Sequence, residues 1–138
     1  YNINNLILLP SKKNHLKCGI IDFQSAFWGE SCWDLFSLLE DSRIFFTDKF
    51  NDHFIEYFFD KTEQNLSIKE YKMKYHFLNC SRQSRLLGRW VKLSKDLGEK
   101  WYLDFIPITK KRLLKSIMFL NNKSLNNFYY KYIFDNEF

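Results

Sequence analysis

The feature that most constrains the fold is a stretch bounded by helix signals at both ends, from Ser67 to Gly98. Ser67 and Glu70 have the spacing of a capping box, in which each side chain satisfies a backbone N–H of the first helical turn. Gly98 directly follows Leu97, and glycine is a common residue just past a helix end. The sequence therefore predicts one long helix from Ser67 to about Leu97.

Shorter helical segments flank this stretch. The chain has 138 residues, of which only four are glycine and two proline, a composition that suits helices better than many tight turns. Most of the flanking segments begin at a side chain that can accept a backbone N–H or at a proline. The predicted segments run from Asp34 to about Arg43, Thr47 to about Lys61, Trp101 to Phe105 (a short turn), Pro107 to about Asn122, and Ser124 through Tyr132.

Two short apolar runs near the N-terminus predict a β-hairpin. The first run spans residues 5–9 and is stopped by Pro10, and the second spans residues 16–22, with a polar loop between them. A lone hairpin is not stable in water, so we expect it to lie against something larger. The predicted fold class is mainly α with a small β-hairpin, in one domain over residues 1–138.

Composition excludes several functional classes. No apolar run reaches the length of a membrane span, and three widely spaced cysteines without a C-x-x-C pair predict free thiols in a reducing cytoplasm.

The net charge of +5 is compatible with nucleic-acid binding, and one face of the long helix carries a basic stripe, defined as Arg82, Arg85, Arg89 and Lys92. Because most lysines are scattered, we interpret the charge as a solvated surface. A basic nucleic-acid-binding domain remains an alternative.

The candidate chemistry lies at one end of the predicted hairpin. Asn5 opens the first run and Asp22 closes the second, so antiparallel pairing places them at the same end of the ladder. An aspartate after a strand usually only begins a turn. Next to an amide oxygen, however, its carboxylate makes a pair of oxygen ligands suited to Mg²⁺ held together with nucleotide phosphates.

Protein kinases use such an arrangement. Their catalytic Asp is followed five residues later by an Asn, and a second Asp follows a hairpin. If Asn5 and Asp22 are this Asn and second Asp, the catalytic base is expected at the position immediately before Tyr1.

Several stretches carry a family resemblance: NNLILLP (4–10), GIIDFQSA (19–26), WDLFSLLEDSR (33–43), RQSRLLG (82–88) and the segment 101–114. They resemble the aminoglycoside phosphotransferase superfamily, in particular its bacterial kinases that phosphorylate N-acetylmuramate and N-acetylglucosamine at the anomeric position. The resemblance implies the C-terminal lobe of a protein-kinase-like fold, a partner N-terminal lobe in the same protein, and a cytoplasmic location. It covers nearly the whole chain.

The resemblance also implies residue roles. Asp22 and Asn5 match the Mg²⁺-binding residues, and Asp34 matches a buried aspartate that braces the catalytic loop, although a plain helix cap is the alternative. Asp41 and Arg43 fall in a family-like patch that could face the acceptor, a surface salt bridge being the alternative. Gln24 stands where protein kinases have glycine.

The implied function is an ATP- and Mg²⁺-dependent phosphotransferase that acts on a hydroxyl of an amino sugar, with no nucleic-acid or membrane partner. The 138 residues alone are expected to be inactive, because they contain no Gly-rich phosphate loop and no catalytic base. Two alternatives remain open: a non-catalytic kinase-like binding or scaffold lobe, and a kinase of choline or an aminoglycoside.

Overall fold

A computed structural model describes residues 3–22, 24, 26, 28–63 and 65–135. The chain is mostly helical, at 71%, with one two-stranded antiparallel hairpin. The predicted fold class is confirmed. Among the helices within these ranges, none has the length and apolar character needed to cross a bilayer.

The hairpin pairs strand β1 (Leu6–Leu8) with strand β2 (Cys18–Ile20). Leu6 lies opposite Ile20 and Leu8 opposite Cys18, and the polar connection includes a short 3₁₀ turn over Asn14–Lys17. Most apolar side chains of the hairpin are exposed, including Leu8 at 73%. The helices described below therefore leave most of the hairpin uncovered, and the larger structure that it is expected to lie against stays a prediction.

Five α-helices follow the hairpin. They are α1 (Cys32–Leu39), α2 (Asp48–Lys61), α3 (Ile68–Leu97), α4 (Ile106–Leu120) and α5 (Lys123–Tyr129). A 3₁₀ segment over Lys100–Phe105 precedes α4, and a π-helical turn over Tyr130–Phe134 follows α5. α1, α2, α4 and the 3₁₀ segment all pack on α3, while α5 contacts α4.

The ends of α3 confirm the predicted signals. The Ser67 hydroxyl accepts from the Glu70 N–H at 3.3 Å, and a Glu70 carboxylate oxygen accepts from the Ser67 N–H at 2.8 Å. Gly98 follows the helix with φ of 70°, a backbone conformation that residues with a Cβ disfavour and glycine adopts readily. Thr47 likewise caps α2, since its hydroxyl accepts from the Phe50 N–H at 3.2 Å.

Two predicted caps are wrong. α1 begins at Cys32, so Asp34 lies in its first turn, where a carboxylate still interacts favourably with the helix dipole. α5 is capped by Asn122, whose side-chain oxygen accepts from the Leu125 N–H at 3.0 Å, and Ser124 lies inside the helix. In both places the helix starts at an earlier residue than the predicted cap.

The apolar core forms two clusters along α3. One lies between α3, α1 and α2, and the other between α3, α4 and α5. Tyr71 and Tyr75 of α3 belong to the first cluster, Cys80 and Leu87 to the second. The cysteines are free, as predicted, and burial raises the pKa of the Cys80 thiol to about 12.

Buried polar side chains on α3 bond to the neighbouring helices. His76 Nδ1 and Ser116 Oγ lie 3.0 Å apart, and Asn79 also donates to Ser116 at 3.0 Å. Gln83 donates to the Asn79 carboxamide oxygen at 3.0 Å and to the Glu40 backbone carbonyl at 3.2 Å. Because an unpaired buried polar group is costly, these bonds restrict how α1 and α4 dock on α3.

The basic stripe is only partly the solvated face that the sequence predicts. Arg82 is buried at 7% exposure and donates to the Ser37 carbonyl at 3.2 Å, so its assignment to a solvated face is wrong. Burial lowers the pKa of Arg82 to about 10. Arg85 lies 5.7 Å over the Trp33 ring, and Lys92 forms an exposed ion pair with Asp96. These contacts weaken the stripe as a nucleic-acid surface.

Burial of His76 predicts a pH-dependent stability. Burial, with smaller contributions from Lys115 and Lys72, lowers the pKa of His76 from 6.5 to about 4. The folded state therefore binds a proton less readily than the unfolded state. The free energy of unfolding is therefore highest above about pH 6.5 and falls as the pH decreases towards 4. The total loss from His76 is about 3 kcal/mol.

We expect His76→Gln to flatten the dependence of unfolding free energy on pH between these limits, as measured by urea denaturation. His53→Gln, at an exposed histidine of α2, is the control and should keep the wild-type slope. Equal slopes in wild type and His76→Gln would contradict the prediction.

Candidate functional site

The hairpin brings Asn5 and Asp22 together, as predicted. The Ile21 N–H donates to the Asn5 carbonyl at 2.9 Å, which extends the ladder one pair beyond β1 and β2. The Asn5 Nδ2 then donates to Asp22 Oδ2 at 3.0 Å. Residues seventeen apart in sequence thus share one end of the hairpin, because antiparallel register places them there.

Asp22 is held in an unusual backbone conformation. Its φ of 60° lies in the left-handed region, about 1–2 kcal/mol less favourable for a residue with a Cβ. The Gln24 Nε2 donates to Asp22 Oδ1 at 2.7 Å, so each carboxylate oxygen accepts one amide donor. A backbone conformation outside the common regions, fixed by two side-chain bonds, is often found at functional sites.

The role of Gln24 was not predicted from the sequence. The sequence shows at this position only a difference from the glycine of protein kinases. A glutamine two residues from a carboxylate can reach back to it across a turn, and that spacing is the signal that could have found the contact.

The donor set suits a magnesium ion that takes its other ligands from elsewhere. Asp22 is exposed and offers carboxylate oxygens, and the Asn5 carboxamide offers one oxygen after rotation about its terminal bond. Mg²⁺ is usually held by one or two protein groups with water and phosphate oxygens around it. Among the described residues, no group of three or more His, Cys, Asp or Glu side chains could hold a metal by itself.

Asp34 does not join this pair through any contact that the structure describes. Its side chain is exposed in the first turn of α1, and not buried as the resemblance implied. That expectation is therefore wrong for the described part of the chain, and bracing of a catalytic loop by Asp34 stays a prediction.

Asp41 and Arg43 form the salt bridge that the sequence left as an alternative. Arg43 Nε donates to Asp41 Oδ1 at 2.8 Å and Nη2 to Oδ2 at 2.6 Å, while the Arg43 N–H donates to Oδ1 at 3.0 Å. Asp41 is only 2% exposed, whereas the Arg43 side chain is 31% exposed. Burial opposes ionisation of Asp41, but the bonds and charge of Arg43 outweigh it and keep the pKa of Asp41 below 3.8. Contact of this pair with an acceptor stays a prediction.

A second buried acid beside this pair was missed. Glu40 is 3% exposed, and its Oε2 lies 3.7 Å from Arg112 Nε on α4. Burial raises the pKa of Glu40 despite the nearby charges of Lys115 and Arg112. The sequence signal was present, since two consecutive acids directly follow the apolar run of α1.

The engagement of Asp41 by Arg43 predicts a pH-dependent contribution to stability. Because the pKa of Asp41 is lowered on folding, its contribution is present above about pH 3.8 and lost as the pH falls through the folded-state value. We expect Asp41→Asn to reduce the unfolding free energy by about 1–3 kcal/mol near pH 6, with the difference from wild type shrinking below about pH 3.8. Urea denaturation at both pH values measures this. Asp60→Asn, at an exposed site on α2, should cost far less, and an equal cost for both variants would contradict the account.

Comparison with known proteins relates the chain to a kinase. No protein-family model matches it. Over 107 residues, 78% of this chain, it is 30% identical to the N-acetylmuramate/N-acetylglucosamine kinase of Caulobacter vibrioides. The match spans 29% of the length of that kinase. The chain is therefore similar to part of a kinase, while membership of the aminoglycoside phosphotransferase superfamily stays a prediction.

Proposed function

We propose that this chain is the C-terminal lobe of an ATP- and Mg²⁺-dependent kinase that phosphorylates a hydroxyl of an amino sugar. The observation that carries the proposal is its 30% identity to an N-acetylmuramate/N-acetylglucosamine kinase over 107 residues. The 3.0 Å contact between Asn5 and Asp22 supports it, because that contact joins the two residues that the resemblance assigns to Mg²⁺. In this proposal, the catalytic base and the other residues that bind the nucleotide belong to parts of the protein outside these residues.

Asn5 and Asp22 would hold the ion in this proposal. When bound, Mg²⁺ supplies charge neutralisation on the phosphates of ATP. Gln24 donates to Asp22 Oδ1 and so orients the carboxylate. Gln24 therefore acts as a positioning residue, and its loss would let the carboxylate rotate away from the geometry the ion requires.

The proposed acceptor is an amino sugar, since that class is named for the relative and is implied by the resemblance. Choline and aminoglycosides are the other candidate acceptors. A phosphotransfer screen of the full-length protein with N-acetylmuramate, N-acetylglucosamine, choline and an aminoglycoside separates them, and turnover of choline or the aminoglycoside alone would overturn the amino-sugar assignment.

With the acceptor so identified, we expect Asp22→Asn to lower kcat of the full-length protein by at least about 10²-fold, because the lost interaction strengthens towards the transition state. Gln24→Ala should lower kcat by about 10–100-fold and raise the Mg²⁺ concentration needed for half-maximal activity. Asp60→Asn, at the exposed carboxylate on α2, serves as the matched control and should keep wild-type turnover. Near-normal turnover by Asp22→Asn would rule out the role given to this residue.

A further inference from the structure

A row of aromatic side chains runs along the outer face of α2. This aromatic ladder consists of Phe46, Phe50, Phe54 and Tyr57. The ring centroids of Phe46 and Phe50 lie 4.7 Å apart, those of Phe50 and Phe54 4.5 Å apart, and those of Phe54 and Tyr57 6.2 Å apart. Because spacings of three and four residues return to the same face of a helix, the four rings form one continuous row.

The aromatic ladder is only partly covered by the rest of the chain. Phe46 and Phe54 pack against the core cluster between α1, α2 and α3, whereas Phe50 is 39% exposed and Tyr57 51% exposed. Phe45, directly before the ladder, is 72% exposed. A contiguous exposed apolar row is typical of a surface that contacts a partner, and a row at helical spacing suits a partner helix.

The charged residues of α2 indicate which helix that partner is. Asp48 and Glu56 are each engaged at 2.6 Å by a lysine of the same chain, from α4 and α3 respectively. Asp52 lies on the side of the helix away from the ladder. Lys49 and Asp60 are exposed beside the ladder, and neither forms an ion pair with any residue that the structure describes.

Lys49 and Asp60 make the ladder face self-complementary. They lie on the same flank of the ladder, one at the start of α2 and the other at its end. A second α2 that runs antiparallel brings its Asp60 to Lys49 and its Lys49 to Asp60, whereas a parallel copy would set like charges together. The antiparallel copy also places Phe50 opposite Tyr57 of the second copy, with Phe54 near the two-fold axis.

We propose that two copies of the protein associate through the aromatic ladder, with their α2 helices antiparallel across a two-fold axis. Such a contact uses the same surface on both copies, so it closes at the dimer. α2 has 14 residues and a length of about 21 Å, so its face buries well under the roughly 800 Å² per partner of a stable complex. The dimer is therefore weak and reversible, with a Kd on the order of 100 μM.

The proposal is independent of the kinase activity, because association is measured without substrate. Turnover and urea denaturation are measured far below this Kd, where the protein is a monomer, so the contact does not affect them.

Sedimentation equilibrium of the full-length protein, from about tenfold below to about tenfold above that Kd, tests the proposal. We expect the average mass to rise from one copy towards two and no further. Tyr57→Ala should weaken the dimer at least about tenfold, because each copy loses the ring opposite Phe50. Phe77→Ala is the matched control, at a 61% exposed aromatic side chain of α3, and should leave the Kd unchanged.

A charge swap tests the antiparallel arrangement without changing the aromatic ladder. Lys49→Glu and Asp60→Lys each set like charges together twice, so each should weaken the dimer about threefold to tenfold at low ionic strength. The double variant Lys49→Glu/Asp60→Lys recreates both opposite-charge pairs and should return the Kd to within about twofold of wild type. Both positions are exposed, so each variant should still melt cooperatively.

The proposal is overturned if the mass stays that of one copy over the whole range, or if it keeps rising beyond two copies. Equal dimer strength in Tyr57→Ala and Phe77→Ala would also overturn it. A double variant as weak as the two single variants would do the same, because Lys49 and Asp60 would then not meet. If Tyr57→Ala does not fold, the charge swap decides.

Discussion

The helical part of this chain depends on one set of interactions: buried polar side chains of α3 form hydrogen bonds with α4, with the end of α1 and with the residue that follows α1. His76 and Asn79 share the Ser116 hydroxyl of α4, while Gln83 and Arg82 donate to backbone carbonyls of residues 40 and 37. Apolar contacts tolerate small shifts, but these bonds do not. They therefore fix the place of α1 and α4 on α3, and with it the place of the Glu40–Arg112 pair.

The elements that were predictable from the sequence are those decided by local signals. A cap or a helix stop is decided within a few residues, so Ser67, Thr47 and Gly98 were predicted correctly. The hairpin was predictable because two apolar runs around a polar loop can pair in few ways. Its register then placed Asn5 beside Asp22 without further information.

What could not be predicted depends on partners distant in sequence. Arg82 shares a helix face with solvated basic residues. It is nevertheless buried, and it donates to the carbonyl of Ser37, a partner far away in sequence. Likewise, nothing in the local sequence indicates that Arg112 pairs with Glu40, which lies seventy-two residues earlier. The contact of Gln24 with Asp22 lies between these two cases. It is local in sequence, but it forms where the backbone of Asp22 is left-handed.

We propose that the Asn5 and Asp22 side chains, which are hydrogen-bonded across the hairpin, form a divalent-cation site. Titration with Mn²⁺, followed by paramagnetic broadening of backbone amide signals, tests it most directly, because broadening falls off steeply with distance from the ion. The account predicts that the signals of Asn5, Ile21 and Asp22 broaden first, and that Asp22→Asn abolishes this broadening while Asp60→Asn does not. Broadening centred on other acidic residues, or unchanged in Asp22→Asn, would contradict it.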